Sequence, residues 1–228
     1  MDNSKRAITD MGEAIIIAHG APADPAPQEA VMQSLAGRVA QLLPGWQVLG
    51  TTLAKPGALE SALSLLEAPL IYPFFMAEGW FTGTNLPRRL ASAGKGSLRQ
   101  LLPFGTDPAL SDVMLRAARG FDRVLIAAHG SKISRTSADT TYKMQRTLLA
   151  QGVHDVRVGF VEEAPFLTDV AAEMGDGLCL PFFALRAGHV LDDVPQALRA
   201  AGFKGELRPP IGEDDAVPGL IAAALRQG

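Results

Sequence analysis

Eight short apolar runs mark the chain, and each predicts a buried β-strand. They lie at residues 14–18, 48–53, 70–75, 98–102, 124–128, 156–161, 178–183 and 205–207. After each run comes a helix-length segment whose apolar residues are three or four positions apart, as in Leu35, Val39 and Leu42. Strand and helix therefore alternate along the chain, which favours an α/β fold with parallel sheets, right-handed crossovers and helices on the sheet faces.

The pattern recurs after about 110 residues, and four landmarks recur with it in the same order. The landmarks are Ala-His-Gly at 18–20 and 128–130, Pro56 and Pro165, Pro-Phe-Phe at 73–75 and 181–183, and Gly-x-Asp at 105–107 and 212–214. We therefore predict two tandem, similar units, a first repeat over residues 1–117 and a second repeat over residues 118–228. Each should be a four-stranded parallel sheet flanked by helices. A cleft is expected between them, because ligands bind beyond the carboxyl ends of parallel strands, where all four landmarks lie.

The charge balance argues against a nucleic-acid partner. The chain has 21 Lys and Arg against 24 Asp and Glu, a net charge of −3, and neither half carries a basic excess. Near the start the longest apolar stretch is 14–18, so we expect no signal peptide, no membrane span and a soluble, cytoplasmic protein. The single cysteine, Cys179, lies in an apolar run and is expected in the core.

Three of the four histidines follow predicted strands. His19 and His129 each end a strand and precede a glycine, which offers the imidazole at the strand tip while the main chain turns away. His189 stands where a helix is predicted to begin, and a helix N-terminus disfavours the imidazolium, which keeps the ring able to bind a metal ion. The remaining histidine, His154, lies in a Gly-Val-His-Asp turn and is expected to be solvated.

Two adjacent carboxylates, Glu162 and Glu163, close the strand at 156–161. Neighbouring residues in a strand point to opposite faces, so at most one of the two can face a shared site. Together with His129 and His189, one carboxylate would complete a ligand set suited to cobalt, iron or nickel. The spacing matches no tight structural metal motif, which favours an exchangeable metal, and solvated acids remain the alternative for the pair.

Four strings of the second repeat point to a family. They are Ala-His-Gly-Ser (128–131), Val-Gly-Phe-Val-Glu-Glu-Ala-Pro (158–165), Pro-Phe-Phe with Ala-Gly-His-Val-Leu-Asp-Asp-Val (within 181–194) and Arg-Pro-Pro-Ile-Gly (208–212). In these strings the sequence resembles the class II chelatases, the cobaltochelatases of the CbiX and CbiK types, which are similar to ferrochelatase in fold.

The resemblance implies insertion of a divalent metal into sirohydrochlorin or a related tetrapyrrole, in cobalamin or tetrapyrrole synthesis. The metal is then a substrate, typically cobalt, with iron and nickel left open, and no organic cofactor is implied. Family roles transfer to His129 and His189 as metal ligands and proton acceptors, and to Glu162 as the acidic member of the same metal site. Neutral imidazole suits both tasks, because metallation removes pyrrole protons while the metal ion changes its ligands.

The two repeats differ at these positions. Along the repeat Glu162 corresponds to Leu53, and His189 corresponds to Phe81. The first repeat therefore keeps only His19, as a vestigial site, and one catalytic site is expected in the second repeat.

A flat macrocycle that carries many carboxylates needs aromatic walls and cations. Trp80 and Phe81 are expected to stack on it. Cations near the candidate histidines and in the equivalent loop of the first repeat are expected to hold its carboxylates, namely Lys132, Arg135, Arg186, Arg88 and Arg89. Because the repeat is fused in one chain, we expect a monomer.

Two other enzyme classes and one binding function also use features of this kind. Histidine phosphatases need an arginine before the strand-end histidine, where Ala18 and Ala128 stand, and a serine hydrolase needs a Gly-x-Ser-x-Gly elbow that the sequence lacks. A non-enzymatic carrier of a metal or tetrapyrrole remains the alternative, since the first repeat has lost two candidate ligands.

Overall fold

The computed structural model describes residues 11–186 and 188–228, and at residues 188–191 it describes the main chain alone. The described residues form seven strands, β1 (Glu13–Ala18), β2 (Gln47–Thr52), β3 (Leu70–Pro73), β4 (Arg123–Ala128), β5 (Asp155–Phe160), β6 (Leu178–Pro181) and β7 (Glu206–Leu207). They also form eight α-helices, α1 (Ala26–Leu42), α2 (Ala58–Ser64), α3 (Leu86–Ser92), α4 (Leu110–Ala118), α5 (Thr136–Ala150), α6 (Leu167–Met174), α7 (Gly188–Ala200) and α8 (Val217–Gln227).

The strands form two parallel sheets with the orders β2-β1-β3 and β5-β4-β6-β7. The central strands β1 and β4 are buried along Ala14–Ala18 and Val124–Ala128, as expected of parallel strands covered by helices. The first three strands of each repeat have the same order. The α/β fold class that the alternating pattern predicts is confirmed.

The prediction that residues 98–102 form a fourth strand of the first sheet is wrong in its length. Only Gln100 pairs in this segment, through a single parallel bridge to Ile71. The equivalent strand β7 is itself two residues long. Pro103 and Pro209 follow the two segments closely, and a proline cannot donate a hydrogen bond to a neighbouring strand. The apolar run therefore continues beyond the length of chain that can pair.

The chain forms two compact units that exchange segments between the repeats. Of the described residues, the first unit contains those up to Pro73 together with Pro87–Leu101 and Pro218–Gly228, and the second unit contains Phe74–Leu86 and those between Leu102 and Val217. The loop after β3 and helix α4, both from the first repeat, thus belong to the second unit. Nearly all of α8, from the second repeat, belongs to the first unit. The division at residues 117 and 118 stays a prediction about the sequence repeat, and the compact units are not divided there.

Two equivalent glycines, one in each repeat, make the same close contact with a main-chain carbonyl group. A Cβ atom on Gly105 would lie 1.9 Å from the carbonyl oxygen of Met76, and one on Gly212 would lie 1.9 Å from that of Ala184. Gly105→Ala and Gly212→Ala should therefore each lower the free energy of unfolding by about 1–3 kcal/mol, because main chain must move to admit the methyl group. Gly37→Ala in α1 is the control, since a Cβ there meets nothing within 4 Å. Denaturant titrations measure all three, and wild-type stability of Gly105→Ala would contradict the close approach.

Cys179, His154 and the helices are each the subject of a sequence-based expectation. Cys179 is fully buried in β6, and burial raises the pKa of its thiol to about 12, which confirms it as a core residue. His154 is exposed in the turn before β5. Within the described parts of the chain, no helix combines the length and the apolar character needed to cross a membrane.

Candidate functional site

The two strand-end histidines lie in equivalent turns. His129 directly follows β4, and its Nδ1 lies 3.0 Å from the carbonyl oxygen of Gly130. The same contact joins Nδ1 of His19 to the carbonyl oxygen of Gly20 at 2.7 Å. Gly130 and Gly20 have φ angles of 73° and 81°, in the left-handed region that glycine adopts without steric cost. Each glycine thus lets the chain turn away directly after the histidine, as the sequence pattern predicts.

The tip of β5 lies beside the turn that carries His129. The N–H of Val161 donates to the carbonyl oxygen of Ala128 at 3.0 Å, and the N–H of Glu162 donates to that of His129 at 2.9 Å. Two of the three predicted ligands are therefore hydrogen-bonded through their main chains. Their side chains leave from adjacent strand tips.

The same hydrogen bonds correct the register of the repeat. In the first unit the N–H of Ala54 donates to the carbonyl oxygen of His19 at 2.8 Å, in the place of the bond between Glu162 and His129. Ala54 is thus the counterpart of Glu162, and the expected match with Leu53 is wrong. The loop that follows is one residue longer in the second repeat, which displaced the match. Either way, the first repeat has no carboxylate at this position.

The two carboxylates take different partners. The side chain of Glu162 is 34% exposed, and its Oε2 lies 3.7 Å from Nζ of Lys132. Glu163 turns back toward the His129 turn, where its Oε1 accepts the N–H of Ser131 at 2.8 Å. Glu163 is thus engaged with the turn, whereas Glu162 lies beside a cation at the strand tip, and which of the pair faces a metal site stays a prediction.

An open groove of about 650 Å³ lies beside Glu162 within the second unit. Its lining also includes Phe160, Phe166, Asp169 and Asp193. A hydrated ion can therefore reach the carboxylate of Glu162 from solvent through a partly acidic surface.

The third predicted ligand, His189, lies in the first turn of α7, which begins at Gly188. Its side chain lies outside the described residues. Among the side chains that the structure does describe, no three of His, Cys, Asp and Glu are grouped so as to hold a metal ion. The set of His129, Glu162 and His189 therefore stays a prediction.

The exposed aromatic residues of the first repeat belong to the second unit. Trp80 is 56% exposed and meets Phe81 edge to face, with ring centroids 5.0 Å apart. Phe81 in turn stacks on Phe75 at 6.1 Å. Residues 75–81, here named the aromatic loop, thus present a supported aromatic surface to solvent.

The aromatic loop packs against the start of α5. A Cβ on Gly79 would lie 3.4 Å from the hydroxyl of Thr136, the first residue of the helix that follows the His129 turn. Trp80 and Phe81 therefore share a compact unit with His129, which the sequence analysis missed. Hydrophobic periodicity identifies elements, and it does not report which unit a loop joins.

The predicted carboxylate-binding cations differ in how far they are already engaged. Lys132 and Arg135 are exposed in the segment between β4 and α5, with Lys132 near Glu162 as described. Arg186 donates two hydrogen bonds to the carboxylate of Glu213, at 2.9 and 2.7 Å, and this contact raises the pKa of Arg186. Its charge is thus already balanced by one carboxylate.

Arg89 has a structural task within the first unit. It donates to Oε1 of Glu60 and to the carbonyl oxygen of Leu53, both at 2.8 Å, and the hydrogen bond to Glu60 lowers the pKa of that carboxyl. Arg89 thus ties α3 to α2 and to the chain after β2. Its neighbour Arg88 is exposed.

A comparison with solved structures finds a protein that is similar over nearly its whole length. It is CbiX, described as the terminal enzyme for biosynthesis of siroheme in denitrifying bacteria, and its sequence is 44% identical. The match covers 95% of the present chain and 99% of that protein, with a TM-score of 0.86.

More distant structures share the fold. SirB from Bacillus subtilis with Fe3+ is 14% identical, with a TM-score of 0.75 and 95% of both chains covered. The sirohydrochlorin chelatase SirB from Bacillus subtilis subspecies spizizenii, in complex with cobalt, is 18% identical, with a TM-score of 0.70 and the same coverage. No curated protein matches the chain.

The family model of CbiX matches residues 123–228, which span the second repeat from β4 to the end of the chain. This match includes the His129 turn, both carboxylates and the start of α7. Together with the 44% identity over nearly two complete chains, it confirms the resemblance seen in the sequence. The protein belongs to the CbiX family of class II chelatases.

Proposed function

We propose that this protein inserts a divalent metal ion into sirohydrochlorin or a related tetrapyrrole. The observation that carries the proposal is the hydrogen bond between Glu162 N–H and the carbonyl oxygen of His129. It places an imidazole and an accessible carboxylate on neighbouring strand tips of a CbiX-family chain. His129, Glu162 and His189 are the proposed ligands of the incoming metal ion.

The contact of His129 with Gly130 suits either role of the imidazole. A carbonyl oxygen only accepts hydrogen bonds, so Nδ1, which lies 3.0 Å from it, carries the ring proton. In the neutral ring this tautomer has its lone pair on Nε2, the atom that would bind a metal ion or accept a pyrrole proton. This contact resembles the way in which metal-binding histidines are oriented through their second nitrogen.

The other side chains would supply charge and a surface for the macrocycle. The carboxylate of Glu162 offsets part of the charge of a dication, and the Nζ of Lys132, at 3.7 Å, would give way as the metal ion arrives. Trp80 and Phe81 would stack on the tetrapyrrole, and Lys132 and Arg135 would hold its carboxylates.

The metal we propose is cobalt, with iron as the alternative. The sequence resemblance favours cobalt, whereas the CbiX that is 44% identical is described as a siroheme enzyme, and siroheme contains iron. A ligand set of two imidazoles and a carboxylate accepts either ion. Insertion rates measured with Co2+ and Fe2+ under the same anaerobic conditions decide between them.

Absorbance spectra of sirohydrochlorin with protein and metal test the function itself. We expect a small amount of protein to convert many equivalents of tetrapyrrole to the metallated spectrum. The same protein without metal should shift the tetrapyrrole bands only in proportion to the protein added. If metal and tetrapyrrole together also gave no more than a stoichiometric shift, the protein would be a carrier and the proposal would be wrong.

A further inference from the structure

We propose that Glu163 is a positioning residue, which holds the His129 turn in the geometry that metal insertion requires. The proposal rests on the proposed function for its effect on catalysis, and it assigns no metal binding to Glu163. The neighbouring Glu162 keeps that role. Nothing in the sequence pattern distinguished the two acids, and their contacts do.

The hydrogen bond that Glu163 accepts and its packing contact with Gly130 are both with the turn. Its Oε1 accepts the N–H of Ser131 at 2.8 Å. A Cβ atom added to Gly130 would lie 2.9 Å from both Cγ and Oε1 of Glu163, so the side chain packs directly on the glycine. A hydrogen bond to a carboxylate is stronger than one between neutral groups. Glu163 thus contacts the turn at two successive residues, Gly130 and Ser131.

His129 is held on both sides as a result. Before it, the carbonyl oxygen of Ala128 accepts the N–H of Val161 at 3.0 Å, and after it Ser131 donates to Glu163 at 2.8 Å. Because the imidazole projects from main chain fixed at both ends, its direction is restrained. Holding a reacting group in the productive direction is a large part of catalysis, and small displacements are costly.

Ser131 also organises the segment that contains Lys132 and Arg135. The hydroxyl oxygen of Ser131 accepts the N–H groups of Ile133 and Ser134 at 3.3 and 3.1 Å. Glu163 therefore fixes Ser131, and the hydroxyl of Ser131 in turn holds the main chain on the C-terminal side of Lys132.

The first unit provides a natural comparison. Its turn has the same glycine conformation, and the residue after Ala54, the counterpart of Glu162, is Lys55. There Gly20 packs instead on the side chains of Thr52 and Ala54, at 2.8 and 2.9 Å from a built Cβ. A His-Gly turn thus forms without a carboxylate behind it, so loss of Glu163 should leave the fold intact. The carboxylate is present in the repeat that carries the predicted ligands.

The test compares Glu163→Ala with Glu163→Gln, with Lys55→Ala as the matched control. Glu163→Ala removes the acceptor and should lower kcat for metal insertion by about 10–100-fold, as for other residues that orient metal ligands, with KM for the tetrapyrrole changed little. Glu163→Gln keeps an amide oxygen at the same reach and should stay within about threefold of wild type, since only the charge assistance is lost. Lys55→Ala should not differ from wild type.

A double-mutant cycle with His129→Ala shows whether Glu163 acts through the histidine. In the His129→Ala background, Glu163→Ala should cause no further loss, because the group that it positions is already gone. Equal losses in Glu163→Gln and Glu163→Ala would overturn the proposal, since the charge itself would then be needed. A full additional loss in the His129→Ala background would overturn it as well.

Two measurements decide the matter without turnover. Hydrogen exchange at the Ser131 amide should become about tenfold faster or more in Glu163→Ala and should stay slow in Glu163→Gln. The affinity for Co2+ alone, read from its absorption bands, should fall in parallel with exchange protection. If wild-type protein inserted no metal, the proposed function would fail, and these two readouts would still test the positioning. Unchanged exchange in Glu163→Ala would overturn it.

Discussion

Replacing His129 by alanine should lower the rate of metal insertion by about 100- to 10,000-fold, the range lost when a positioned acid–base group is removed. The imidazole lies at the tip of β4, with Nδ1 turned to the carbonyl oxygen of Gly130 and with Glu162 bonded to its main chain. The side chain is exposed, so its removal should change the free energy of unfolding by no more than about 0.5 kcal/mol. Steady-state rates with sirohydrochlorin and thermal unfolding, measured on the same preparation, give both quantities.

His19→Ala is the matched control, because its turn repeats that of His129 in glycine conformation and in the contact of Nδ1. The two sites differ in what lies beside them, since Ala54 stands where the second unit has Glu162. We expect His19→Ala to retain most of the activity. Equal losses in the two variants would contradict a single site in the second repeat.

The fold was predictable from the sequence because buried parallel strands leave a strong signal. Runs such as 14–18 and 124–128 contain little but aliphatic residues, and helices with a repeat of three and four separate them. The segment 98–102 has leucine at three of its five positions and yet pairs only at Gln100. Hydropathy indicates which residues are buried, but it does not indicate which of them pair. Pairing ends here because Pro103 has no N–H to donate to a neighbouring strand.

The site was predictable only in part, and the reasons are specific. The match of Glu162 with Leu53 rests on the number of residues between the repeated landmarks. A loop that is one residue longer in one repeat shifts this number, and the sequence does not show where the extra residue lies. The hydrogen bond from Ala54 to His19 resolves it. The separate task of Glu163 depends on a contact with Ser131, 32 positions away in the sequence, that no local pattern encodes.

The position of the aromatic loop in the fold could not be predicted from the sequence either. Trp80 and Phe81 belong by sequence to the first repeat, and the structure assigns them to the second unit with His129. Exchange of a segment between repeats depends on the path of the chain after β3. This placement makes a contribution to the tetrapyrrole site testable by substitution, whereas residue type alone indicates only that such rings can stack.

Trp80→Ala should raise KM for the tetrapyrrole by about tenfold and leave kcat within about twofold of wild type. An aromatic ring stacked on a planar heterocycle contributes about 1–3 kcal/mol, and a tenfold change is about 1.4 kcal/mol. The indole is 56% exposed and supported by Phe81, so it loses little contact within the protein when removed. Initial rates over a range of tetrapyrrole concentrations separate KM from kcat, and Trp80→Phe should restore most of the affinity.

Leu65→Ala is a suitable control, because Leu65 is a comparably exposed apolar side chain in the first unit. It should leave both constants unchanged. A fall in kcat at constant KM in Trp80→Ala would contradict a stacking role, because it would mean that the indole acts in the insertion step and not in holding the macrocycle. Stacking acts before and during metallation alike, so it stabilises the bound substrate and the transition state equally, and its loss must appear in KM.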